Sequence, residues 1–279
     1  MKVRSIKEIR EEQQQKETEK QLKQKILPLL KEEVDKHCEI KQYLSLMKPF
    51  VFPFTSTIPC HLYTCWHTKE LPPLMKENYD ILVRDNPEIK IHLYDENECR
   101  AFIKLHFDQT VVDAYDALIP CSYKADLWRY CVLYTHGGIY MDIKYKLMNE
   151  FRLVGLTDKE YFVRDADPNN VYTALIVSMP GNTILLQCIH QIVEHVKIKY
   201  YGTCSLAPTG PKLLGSFFTT TEKTDMMLYH EYKSKINKFY IVFQNIIILE
   251  FYQHYREEQL RYQKNKRYVD LWNENAIYR

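Results

Sequence analysis

Asp126, Arg129, Asp142 and Lys144 are the side chains of this sequence whose types and spacing could do chemistry, and one segment, residues 120–146, carries all four. Set out at the period of an α-helix, residues 123–136 place Leu127, Tyr130, Cys131 and Tyr134 on one face. Asp126 and Arg129 are three apart, so they are neighbours on an adjoining face. Gly137-Gly138 then stops the helix, since glycine takes the left-handed C-terminal position at little steric cost. Ile139-Tyr140-Met141 is a short β-prone run that delivers Asp142 at its end. A helix with a carboxylate and a guanidinium, a glycine turn and a strand ending in a second carboxylate can hold a polyol and a phosphate together. The plainer alternative for Asp126 and Arg129 is a local helix ion pair worth ~0.3–0.5 kcal/mol. The glycine turn and Asp142, set where a site needs them, favour binding.

Tyr123-Lys124-Ala125-Asp126-Leu127-Trp128-Arg129-Tyr130, followed by Gly137-Gly138-Ile139-Tyr140-Met141-Asp142-Ile143-Lys144, resembles the family 32 glycosyltransferases. These have a sugar-binding region containing a DXD motif and are related to the fungal initiating α-1,6-mannosyltransferases and the glucosylating toxin clan. Their signature is roughly Tyr-x-x-Asp-x-x-Arg-Tyr…Gly-Gly-x-Tyr-x-Asp-x-Asp. The resemblance extends to Ile58-Pro59, Cys65-Trp66-His67-Thr68, Asn86-Pro87, Tyr94-Asp95 and Thr209-Gly210-Pro211, and covers residues 58–215. The sequence departs from the pattern at Lys144, which stands where the family has its second aspartate.

This resemblance implies a GT-A nucleotide-sugar fold, α/β with a mainly parallel central sheet and flanking helices. It implies a hexosyltransferase-type enzyme of carbohydrate biosynthesis that takes a nucleotide-diphospho-sugar donor and retains its anomeric configuration. The acceptor would be a glycan, lipid or protein hydroxyl. Asp126, Arg129 and Asp142 would be the catalytic positions. Trp66, Tyr123, Gly138, Tyr140, Lys144, Thr209 and Gly210 would complete donor binding with them. A divalent metal, Mn²⁺ or Mg²⁺, would sit on Asp142. The acidic turn 165–170 offers Asp165 and Asp167 as further oxygen donors, although a solvated loop of Asx-type turns is its plainer reading. Lys144 leaves three outcomes open: the lysine replaces the metal's charge, the metal persists on other ligands, or catalysis is lost.

The elements that must position these residues follow from the rest of the chain. With 279 residues it can bury a full core. Lys plus Arg at 38 against 36 for Asp plus Glu gives no basic excess of the kind a nucleic-acid partner calls for. Eight cysteines include no Cys-x-x-Cys pair, which disfavours a zinc ribbon; buried free thiols are a plainer reading than disulfides. The sequence shows no apolar signal core and no run of about 18 apolar residues. A soluble cytoplasmic protein is therefore expected, with a viral or membrane-peripheral setting still compatible.

Residues 1–42 read as a charged helical extension rich in Gln, Glu and Lys. A solvated arm is the plainer reading, and docking or self-association is the alternative. Residues 43–279 then form the catalytic domain. Strands are expected at 58–66, 89–94, 161–164 and 171–178, with helices at 74–84, 96–106, 107–118 and 183–197 between and after them. Trp66, His67 and Asp95 fall at carboxyl ends of strands, where ligands gather in parallel α/β sheets. Residues 205–211 read as a rigid loop before a helix, whose N–H groups suit an anion or a sugar hydroxyl. Further on, 229–232 and 240–250 read as strands. The stretch 252–267 is basic and aromatic, either a solvated helix or a neighbour of the donor diphosphate. The competing functional class is a catalytically inactive GT-A-like nucleotide-sugar-binding or scaffold protein, which Lys144 keeps in view.

Overall fold

A computed structural model describes residues 24, 25, 28, 29, 31–42, 46, 55–236 and 238–279. The chain divides into two compact units, Met1–Leu46 with Lys233–Asn237, and Met47–Tyr232 with Lys238–Arg279. In the first, residues 31–42 are helical and largely exposed. Residues 24, 25, 28 and 29 are helical and exposed as well; the remainder of the expected extension, and with it most of the docking or self-association reading, lies outside the described residues.

The second unit contains the candidate site. Its chain runs β1 (His61–Cys65), α1 (Pro73–Asp85), β2 (Lys90–Tyr94), α2 (Glu96–His106), α3 (Gln109–Ala117), α4 (Cys121–His136), β3 (Gly138–Met141) and β4 (Tyr145–Leu147). It continues through β5 (Tyr161–Arg164), β6 (Val171–Ser178), α5 (Thr183–Lys197), α6 (Pro211–Gly215), α7 (Thr220–Thr224), β7 (Leu228–Lys233), β8 (Lys238–Phe243), β9 (Ile246–Phe251), α8 (Tyr255–Tyr262) and α9 (Tyr268–Asn273).

Among the described residues nine strands form one sheet in the order β2-β1-β3-β6-β5-β7-β8-β9-β4. β1 pairs in parallel with β2 and β3, and β5 with β7. β3–β6, β5–β6, β8–β9 and β4–β9 are antiparallel. The expected mainly parallel sheet is therefore corrected to a mixed one, and the reason is connection length. Residues 165–170 between β5 and β6 are too few for the crossover a parallel pair needs. The stretch 240–250, read as one strand, is a hairpin turning at Gln244 and Asn245. Both have positive φ, 48° and 63°, as a two-residue type I′ turn requires.

The sheet is curled, and chain reach shows why. β3 and β4 are joined only by residues 142–144, which span at most roughly 14 Å. Yet six strand-to-strand steps separate them in the sheet, each about 4.8 Å. The far edge must return beside β3, and the turn that carries Asp142 and Lys144 closes the gap. One hydrophobic cluster packs Leu127, Trp128, Tyr130 and Leu133 of α4 with Leu185, Ile189 and Ile192 of α5. The other gathers Leu62, Ile139, Met141, Leu175, Ile241 and Leu249 from the strands. All eight cysteines are free thiols.

Candidate functional site

α4 is buried on nearly every side, which lets several of its faces hold something. Tyr123, Asp126 and Tyr130, at i, i+3 and i+7, face the loop 205–210. Tyr123 Oη donates to Ser205 O at 2.6 Å, Thr209 Oγ1 donates to Asp126 Oδ2 at 2.7 Å, and Tyr130 Oη donates to Thr209 O at 3.2 Å. Gly210 belongs there for room: a Cβ on it would stand 3.2 Å from Asp126 Oδ2.

Arg129 points to the sheet. Its Nη1 donates to Thr173 O at 2.7 Å and pairs with Asp126 Oδ1 at 3.1 Å. Its Nη2 lies 3.4 Å from Asp142 Oδ1, and the guanidinium lies 4.3 Å from the Tyr140 ring centroid. One guanidinium thus bridges the two carboxylates, and burial is what the spacing alone did not reveal: Arg129 is only 4% exposed. Burial pushes the Asp126 carboxyl up from the usual range, with Arg129 and Thr209 opposing.

α4 ends at Gly137, with φ +64° and its N–H donating to Leu133 O. Gly138 (φ +103°) is required by close approach, since a Cβ there would lie 2.6 Å from His61 O of β1. It packs the strands together and is not among the residues that line the site's cavity. β3 then delivers Asp142 into a turn in which Tyr145 N donates to Asp142 O at 3.2 Å. Tyr140, two residues back on the same face, donates from Oη to Asp142 Oδ1 at 2.7 Å, and Lys144 Nζ donates to Oδ2 at 2.7 Å. Burial would raise the Asp142 carboxyl, but Lys144 and Arg129 outweigh it and hold it below the usual range. Burial would likewise lower Lys144, but Asp142 holds it above the ordinary lysine value.

These groups line a cavity of about 550 Å³, within the range of small-molecule sites. Tyr123, Asp126, Arg129, Tyr140, Asp142, Lys144 and Gly210 all reach it, as do Trp66 and His67 from the carboxyl end of β1. Trp66 Nε1 is buried with no hydrogen-bond partner among the described residues. Arg256, Gln259, Lys264, Lys266 and Arg267 of the basic segment 252–267 line it as well. Glu258 anchors that segment, accepting from Leu74 N and Met75 N, both at 2.9 Å, and from Tyr252 Oη at 2.8 Å. It supplies the cap that Pro72 does not give α1.

Other expected positions fall elsewhere. Asp95 caps α2 in a capping box with Glu98. Thr209 is 1% exposed and supports Asp126 from behind. Asp167 is exposed and caps its own turn through Asn169 N, whereas Asp165 lines the cavity and is bonded to His230 Nδ1 at 3.2 Å. Sequence reasoning missed His230, Tyr172, Phe251 and Tyr255, which close one side of the cavity; only strand alternation at His230 hinted at an inward side chain.

The donor set does not fit the divalent metal that the resemblance implies. Both oxygens of Asp142 are engaged by Lys144, Tyr140 and Arg129. The position of a second carboxylate holds an ammonium, which has no lone pair to give. Asp165 is taken by His230, and among the described residues no three His, Cys, Asp or Glu side chains converge on a metal position.

Residues 72–162 match the family described as "Glycosyltransferase sugar-binding region containing DXD motif". Among curated proteins, similarity is found to "Uncharacterized glycosyltransferase L373" of Acanthamoeba polyphaga mimivirus, 25% identical over 46% of this chain and 52% of that protein. "Inositol phosphoceramide mannosyltransferase 3" of Schizosaccharomyces pombe is 22% identical over 61% of this chain and 47% of its own length. "Mannosyl phosphorylinositol ceramide synthase SUR1" of Saccharomyces cerevisiae is 23% identical over 60% and 44%. The chain spans about half the length of the curated relatives it matches. Among solved structures, "PaToxG Glycosyltransferase" aligns with a TM-score of 0.45 and 14% identity over 67% of this chain and 78% of that one, too loosely to carry weight. The motif resemblance and the family match agree: residues 72–162 of this chain are similar to the sugar-binding region of the DXD-motif glycosyltransferases.

Proposed function

We propose that residues 43–279 form a GT-A-type glycosyltransferase domain that moves a hexosyl group from a nucleotide-diphospho-sugar to a hydroxyl acceptor with retention of configuration. The observation that carries this reading is one cavity lined by Asp126, Asp142 and Lys144 together with Arg256, Lys264 and Arg267 of the basic segment. Asp126 keeps lone pairs free beyond those facing Arg129 and Thr209, so it can accept from adjacent sugar hydroxyls. Arg129 positions both carboxylates. Trp66 offers an indole face to a base at the end of β1. Arg256, Lys264 and Arg267 offer charge to a diphosphate.

In the transfer, the bond from the anomeric carbon to the phosphate oxygen breaks with its electron pair on the phosphate. The acceptor oxygen bonds that carbon on the same face, and its proton passes to the departing phosphate oxygen. The protein orients donor and acceptor and excludes water, which would otherwise compete. A divalent metal such as Mn²⁺ or Mg²⁺ would supply charge to the leaving diphosphate in the family pattern; the donor set here does not fit it, and no step runs through it. Two relatives are named for mannosyl transfer to inositol phosphoceramide lipids, which puts a mannosyl donor and an inositol-bearing lipid acceptor first in a trial.

A second reading, a non-catalytic nucleotide-sugar-binding protein, is favoured by Lys144 alone. Nucleoside diphosphate release from a panel of nucleotide sugars, with the product's anomeric configuration read by NMR, separates the two. Release with retained configuration is expected. Donor binding without release by folded protein would establish the second reading.

A further inference from the structure

The surroundings of Lys144 show a cation built into the site. Its Nζ lies 5.4, 5.4 and 5.1 Å from the ring centroids of Tyr145, Tyr172 and Phe251, within reach of cation–π attraction. These walls are themselves tied. Tyr145 Oη donates to Tyr172 Oη at 2.9 Å, Phe251 packs edge-on against Tyr145, and His230 stacks on Tyr172 at 3.8 Å. The backbone is fixed as well, since Tyr252 N donates to Lys144 O at 3.0 Å. Of the three N–H protons on Nζ, one is used on Asp142 Oδ2. The side chain is 13% exposed and lines the cavity, and Nζ has no second hydrogen-bond acceptor among the described residues, which leaves two N–H donors for a ligand.

Charge sharpens the point. Replacing an aspartate by a lysine changes the local charge by two units, the same change a divalent cation makes on binding. Asp126 and Asp142 are already balanced by Arg129 and Lys144. Lys264 and Arg267, which line the same cavity, have no acidic ion-pair partner among the described residues. An incoming diphosphate would meet balanced ion pairs and these further cations in one cavity.

We propose that the Lys144 ammonium, held in its aromatic cage and pinned by Asp142, is the group that receives the donor's diphosphate, so that nucleotide binding and transfer proceed without a divalent cation. This rests on the nucleotide-sugar reading above. In the transfer step Lys144 remains protonated and donates a hydrogen bond to a phosphate oxygen as the glycosidic electron pair arrives on it. Asp142 here positions the lysine and does not ligate a metal.

The test is calorimetric titration of the full chain with GDP, UDP, ADP, CDP and dTDP, in chelator and again in Mn²⁺. Binding of at least one of them in chelator is expected, with little gain from Mn²⁺. Lys144→Met keeps the bulk of the stem inside the cage and should weaken that binding about ten- to a hundredfold, the loss of one charge-assisted bond. Lys144→Arg should retain most of it. Lys144→Asp restores the family pattern and should bind only when Mn²⁺ is added. Thermal melts identify any variant that fails to fold, and the wild-type comparison between chelator and Mn²⁺ stands without them. Wild-type binding that requires Mn²⁺ and is indifferent to Lys144→Met would overturn the lysine inference and leave the nucleotide-sugar reading intact. Binding of none of the five under either condition would overturn that underlying reading instead.

Discussion

Arg129 is held at once by Thr173 O, Asp126, Asp142 and the Tyr140 ring. Removing a partner from such a buried network leaves charge uncompensated, which typically costs about 3–5 kcal/mol. Arg129→Ala should therefore lower the melting temperature as well as turnover. Asp126→Asn keeps the volume and a partner for Thr209 and leaves Asp142 to balance Arg129, so its melting temperature should fall less than that of Arg129→Ala while donor turnover falls by about a hundredfold or more. Melting curves recorded beside turnover separate the two. An Arg129→Ala protein as stable as wild type would show that the guanidinium is not the keystone of the network. Much of this was legible: the i, i+3 spacing and the glycine pair place Asp126, Arg129 and Asp142 near one another. Spacing alone describes a helix-surface pair, however. What buries Arg129 is Thr173 and Tyr140 on two strands, which no local pattern announces. His230 was illegible for the same reason, because its partner Asp165 lies on another strand's end.

At the scale of elements, α8 is held on the molecule by Glu258, which caps the N-terminus of α1 from 183 residues away. Glu258→Ala leaves two helix N–H groups and the Tyr252 hydroxyl without their acceptor, at a cost of about 1–3 kcal/mol. The basic segment that follows should loosen with it. Urea unfolding is expected to show the lost stability, and nucleotide affinity should fall although Glu258 does not itself line the cavity. Unchanged affinity in a destabilised variant would separate the segment from donor binding. Helices were readable because their apolar periodicity is local, as in α5, where Leu185, Cys188, Ile192 and Val193 lie on the buried face. The return of β4 to the far edge was not readable, because it follows from the curl of the whole sheet.

At the scale of the molecule, histidines set the response to acid. Burial, first of all, lowers His67, His92, His136, His195 and His230 below the ordinary 6.5. The folded protein keeps them neutral while the unfolded chain protonates near 6.5. Their contribution to stability is thus present above that pH and is lost as pH falls below it. Glu250, pushed up to about 7 by burial, and Asp126, pushed up by burial as well, run the other way, but they stand against five histidines. Urea midpoints should therefore be lower at pH 5.5 than at pH 7.5 (values chosen on either side of the ordinary histidine range). A midpoint that holds or rises on acidification would contradict this balance. The fold class was legible as α/β from the alternation of strand and helix up to β3. Beyond it the antiparallel additions depend on short connections such as residues 165–170, whose turn residues resemble any polar loop.

Single-turnover cleavage of a nucleotide-sugar donor by wild type and by Asp142→Asn, both shown to be folded, tests sugar transfer at this cavity most directly. The substitution keeps the shape of the side chain and removes the charge that fixes Lys144 and Arg129. Expected is release of nucleoside diphosphate by the wild type and a loss of at least about a hundredfold in the variant. Equal release by the two proteins, or none from any donor by folded wild type, would contradict it.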